Sequence, residues 1–76
     1  MSDIEEMMYF DPEDGLADLD RHLERLSQAA AAQGFEFDRH AARNELQAAT
    51  FGKRKRATAR LVLSPSGAMA IEVRPA

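Results

Sequence analysis

The stretch ARLVLSPSGAMAIEV, Ala59 to Val73, leaves the backbone less choice than any other part of this chain. Ala59, Leu61 and Leu63 alternate with Arg60, Val62 and Ser64, the period-two pattern of a strand with one buried face. Pro65 suits the second position of a tight turn, and Gly67 supplies the left-handed residue of a three-residue hairpin loop with a bulge. With Ser64 facing Ala68, Leu63 lies opposite Met69, Leu61 opposite Ile71 and Ala59 opposite Val73, all on one face. Arg60 then meets Glu72 on the other face as an opposite-charge pair. Turn and pattern select the same register, so a β-hairpin is expected over about residues 58–74, ended by Pro75.

A lone hairpin is marginal in water, so other elements must cover it. The stretch YFDPEDGLADLDRHLERLSQAAAAQG reads as a helix over about residues 12–33. Asp11 suits its N-cap and Pro12 its first position, while Glu13 and Asp14 complement the positive end of the helix dipole. Leu16, Leu19, Leu23, Leu26 and Ala30 recur at spacings of three and four and make one apolar stripe, which Gly34 ends.

A second helix is expected over about residues 39–50, capped by Asp38, with Phe37 stapled onto Ala42. Ala42, Leu46 and Ala49 form its inner face, Gly52 closes it, and Phe51 is assigned to the core. The short link favours an antiparallel helix pair with Phe35 and Phe37 at the corner. The N-terminal DIEEMMYF admits a short helix capped by Ser2 or a strand added to the sheet, and the helix is preferred. The expected fold is α+β in the order α-α-β-β. It forms one small domain over residues 1–76, with a basic connector over 51–57.

Two internal likenesses carry no further weight. DRHLERLSQAA and DRHAARNELQAA share several positions, but one pair falls short of the three copies a repeat fold needs. Residues 20–47, a helix, the GFEF corner and a helix, loosely resemble the Nif11-type leader segments of modified-peptide precursors. The hairpin that follows is foreign to such leaders, and no function is drawn from the resemblance.

At 76 residues the chain can bury only ~60–65% of its unfolded surface, so its core is thin and association is a route to stability. No cysteine is present, which excludes disulfides and thiolate chemistry. The N-terminus is acidic and no apolar run approaches the ~20 residues of a membrane span. A soluble, cytoplasmic protein without a membrane partner is expected.

Charge is distributed unevenly. Residues 1–26 carry nine acids against Arg21 and Arg25, a net of −7, and residues 27–76 carry four acids against eight cations, a net of +4. Lys53, Arg54, Lys55 and Arg56 stand in one run within an acidic chain of net charge −3. With Arg39, Arg43, Arg60 and Arg74 they could form a patch that contacts phosphates.

Catalytic patterns are missing from the sequence. His22 and His40 lie on separate helices without metal-ligand spacing and read as helix-flank side chains. Asp11, Glu13 and Asp14 are accounted for as cap and first turn, and DPEDG lacks the ligand alternation of a calcium loop. Ser27, Ser64 and Ser66 have no base partner, and no glycine-rich phosphate loop occurs.

The expectation is therefore a small non-enzymatic binding or accessory protein, with no catalytic residue, cofactor or metal. Its partner would be a second copy or an acidic protein, held at the hairpin edge and by Lys53, Arg54, Lys55, Arg56 and Arg60. The alternative is a nucleic-acid-binding module that adds Arg39 and Arg43 to the same cations.

Overall fold

The structure is a computed structural model and describes residues 2–76. Its elements run β1 (Ile4–Asp11), β2 (Gly15–Leu16), α1 (Leu19–Gln33), α2 (Arg39–Thr50), β3 (Ala57–Leu63) and β4 (Met69–Pro75). The strands form one antiparallel sheet in the order β2-β1-β3-β4. Both helices pack on one face of it, α1 chiefly against β1 and α2 chiefly against β4.

The expected order α-α-β-β is therefore wrong at its start: the chain opens with strands, and the observed order is β-β-α-α-β-β. Residues 4–11 are a strand paired along β3 from Ile4↔Leu63 to Phe10↔Ala57. Ile4, Met8 and Phe10 are buried on the face that carries the helices, while Met7 and Tyr9 are apolar residues left exposed on the opposite face. Apolar side chains on both faces erase the alternation that marks a strand, which is why a helix looked equally acceptable. The pairing also removes the exposed edge that β3 would otherwise present.

The first helix begins at Leu19, seven residues later than expected. Asp11 ends β1, and its Oδ1 accepts the Glu13 N–H at 3.3 Å. Residues 12–14 turn the chain so that Phe10 pairs with Leu16 and Asp11 with Gly15. Aspartate followed by proline favours either a helix start or a tight turn, and the ladder to β1 decides for the turn. The residue before α1 is instead Asp18, in the left-handed conformation (φ 52°) with no side-chain capping bond. Aspartate is among the few side chains that adopt this region with modest strain.

The remaining elements lie where periodicity places them. α2 starts after Asp38, whose Oδ1 accepts the Ala41 N–H at 3.1 Å. The hairpin pairs Leu63 with Met69, Leu61 with Ile71, Ala59 with Val73 and Arg60 with Glu72. Its turn is closed by Gly67 N–H to Ser64 O and Ser64 N–H to Ala68 O, both 2.9 Å. Met8, Leu23, Leu26, Leu46, Leu61 and Leu63 are fully buried between helices and sheet. Each such side chain contributes roughly 1.5–3 kcal/mol of transfer free energy. Phe35 is buried at the corner between the helices.

Candidate functional site

Three surfaces carry the polar chemistry of the molecule. The first lies on the helix-bearing face of β1, where the alternation that buries Ile4 and Met8 also directs Glu6 inward. Its side chain is only 12% exposed, and an isolated carboxylate there would be costly. Two groups from α1 compensate it: the His22 Nδ1–H donates to Oε1 at 2.7 Å, and Arg25 Nε lies 3.5 Å from the same oxygen. His22 is 17% exposed, so this link is sheltered and pins α1 to β1. Sequence reasoning placed His22 on a helix flank but missed Glu6 and Arg25. The signal was Glu6's parity with Ile4 and Met8, which acquires meaning only once β1 is a strand.

The second surface is the bare face of the sheet. Met7 is 58% exposed and Tyr9 67% exposed, beside an ion-pair row that crosses three strands. Arg60 binds Glu5 on β1 and lies 3.7 Å from Glu72 on β4, whose carboxylate also takes Arg74 Nε at 3.1 Å. The Arg74 guanidinium, by hydrogen bond and charge, holds the Glu72 carboxyl below the usual glutamate range, and Arg60 adds to the effect. Met7, Thr58, Arg60, Glu72 and Arg74 line a shallow hollow of about 260 Å³.

The third surface is the connector between α2 and β3. Phe51, Gly52, Lys53, Arg54, Lys55 and Arg56 are all exposed, and Phe51, assigned to the core from sequence, is 89% exposed. Arg56 borders a hollow of about 320 Å³ shared with Tyr9, Asp11 and Asp14.

The structure does not unite the expected basic patch. Arg43 binds Asp20 on α1, and Arg39 Nη1 lies 3.8 Å from Glu24 while its Nη2 donates to the Asp20 carbonyl at 3.3 Å. Pairing Asp20 with Arg43 and Glu24 with Arg39 is the pattern of antiparallel helices, so these two arginines clamp the helix pair. Arg60 and Arg74 belong to the row on the bare face. Of the expected patch, only Lys53, Arg54, Lys55 and Arg56 have no carboxylate within ion-pair distance among the described residues.

His40 is exposed on α2 and takes no part in the Glu6–His22 link. Among the described residues no three His, Cys, Asp or Glu side chains gather as a metal site. No helix in the described residues is long and apolar enough to cross a membrane.

No protein-family model matches the sequence, and no curated protein matches it either. A solved structure does: the crystal structure of a "putative amino-acid aminotransferase" from Mesorhizobium loti. It is 32% identical over 96% of this chain, with a TM-score of 0.87. The chain spans 35% of that protein's length. The strands and helices described above therefore resemble about one third of an aminotransferase fold, the hairpin and the N-terminal strand included.

Proposed function

We propose that this chain is an association module, the counterpart of one third of an aminotransferase-type protein, and that it works by presenting its bare sheet face to a larger body. The near-complete coverage of this chain against 35% coverage of its match is the observation that supports this reading. Physical chemistry points the same way. A four-stranded sheet with helices on one side only leaves Met7 and Tyr9 exposed on the other, where a further layer would cover them. The ion-pair row of Glu5, Arg60, Glu72 and Arg74 would orient that layer by charge, a role that gives specificity more than affinity. The aminotransferase name belongs to the matched protein; this chain's proposed share is the contact, with catalysis left to the larger body.

A chimera tests the proposal. This chain replaces the matched third of the Mesorhizobium loti protein, and Met7→Glu is introduced both there and in the isolated chain. One cooperative unfolding transition is expected for the chimera. Met7→Glu should lower the chimera's stability by about 2 kcal/mol through lost burial, and change the isolated chain by less than about 0.5 kcal/mol. Two independent transitions, or equal effects in both settings, would sink the reading.

The outer edge of β4 is a second contact surface, open to another strand. Ser64 N–H to Ala68 O and Ala76 N–H to Arg56 O fix the phase of the β3–β4 ladder. In that phase the even-numbered residues of β4 bond to β3, and Ile71 and Val73 direct their backbone groups outward.

A further inference from the structure

The connector has a feature that neither an acidic chain nor a sheet-face contact requires. Phe51 (φ −61°, ψ 131°) and Gly52 (φ 76°) are the central residues of a type II turn closed by Lys53 N–H to Thr50 O at 3.2 Å. The positive φ at the third position suits glycine and sets Phe51 at the outer corner of the turn. An aromatic ring is thereby held almost wholly in solvent, with only Gly52 between it and four cations that have no carboxylate within ion-pair distance among the described residues. One or two cations would suffice to complement the negative end of α2. A four-residue run with a presented ring exceeds that need.

We propose that the turn Phe51–Arg56 binds single-stranded nucleic acid, Phe51 stacking on a base and Lys53 to Arg56 contacting the flanking phosphates. An exposed ring beside a cationic track is the combination that holds single strands without reading sequence, because every base offers a π-face. The surroundings select a narrow ligand. Asp11 and Asp14 border the same hollow as Arg56, and the chain carries a net charge of −3. A duplex or an anionic membrane would bring a broad negative surface against those carboxylates, whereas a single strand can follow the turn alone. The binding is independent of the proposed sheet-face contact and stands or falls without it.

Fluorescence anisotropy with a labelled oligothymidylate tests the proposal at low and near-physiological salt. Duplex DNA of equal length, polyglutamate and phosphatidylserine vesicles serve as competing probes. The variants are Phe51→Ala and the combined Lys53→Ala, Arg54→Ala, Lys55→Ala, Arg56→Ala, all at exposed positions, with circular dichroism as the check on folding. Wild type should bind the single strand in preference to every competitor. Its logarithmic salt slope should be about −2 to −3, from ~0.7 per phosphate contacted. Phe51→Ala should weaken binding about tenfold and leave the slope unchanged, while the quadruple variant should flatten the slope. Three results would overturn the proposal: no binding at low salt, an unaffected Phe51→Ala, or equal or tighter binding to any competitor.

Discussion

Glu72 lies in solvent on the bare face, yet Arg74 and Arg60 keep its carboxyl below the ordinary glutamate range. The linkage sign follows from that direction. A carboxyl whose folded pKa is lowered adds stability that is fully present above its unfolded value of 4.5 and is lost as pH falls through the folded value. The Glu72 side-chain carbon signal, followed by NMR, should titrate below the range of free glutamate, and Arg74→Gln should move its midpoint upward. Coincident midpoints in the two proteins would refute the assigned cause. Such exposed pairs add little stability and are screened by salt, so the row Glu5–Arg60–Glu72–Arg74 contributes little to holding the fold together. Glu6 is different, because its carboxylate is sheltered and its link to His22 joins two elements.

Among the elements, the hairpin turn is the most constrained. Gly67 has φ 94°, and a Cβ added there would lie 3.3 Å from both Cβ and O of Glu36, in the link between the helices. Glu36 N–H also donates to Pro65 O at 3.3 Å, so the turn and the helix link support one another. Gly67→Ala is expected to destabilise the fold by about 1–3 kcal/mol, read as a lowered midpoint in urea; an unchanged midpoint would show that neither the positive φ nor the Glu36 contact constrains the turn. The hairpin was legible in the sequence because its turn chemistry and its alternation are both local and agree. β1 was not, because Met7 and Tyr9 break the alternation of Ile4, Glu6, Met8 and Phe10. The start of α1 was misplaced for a related reason: Asp11 and Pro12 satisfy a helix N-terminus and a turn equally.

As a whole molecule, the chain is a half-clad sheet with an open edge. β2 covers β1 only at Phe10 and Asp11, and β4 is unpaired along its outer side. Met69, Ile71 and Val73 on β4 are only partly buried beneath α2, which leaves an apolar row beside that edge. Self-association through β4 is the expected consequence at high concentration. Val73→Pro should abolish it in sedimentation equilibrium while leaving the monomer folded, since the Val73 N–H is outside the β3 ladder. Glu72→Pro, which removes a bond to β3, should unfold the hairpin. Association that survives Val73→Pro would place the contact elsewhere.

The charge pattern shows how local and tertiary information divide. The sequence by itself determined the two helical segments at their C-terminal ends, the register of the hairpin and the cationic run, because periodicity, turn residues and adjacent charges are local properties. Only the tertiary structure decided which charges remain free. Four of the nine acids in residues 1–26, Glu5, Glu6, Asp20 and Glu24, are engaged at Arg60, His22, Arg43 and Arg39, each across a contact between distant elements. Arg39, Arg43, Arg60 and Arg74 are paired with carboxylates, and Phe51, expected in the core, is turned into solvent beside the unpaired run. Ion pairing and exposure depend on what folding brings alongside a residue, and for those four acids the partners lie 15 to 55 positions away.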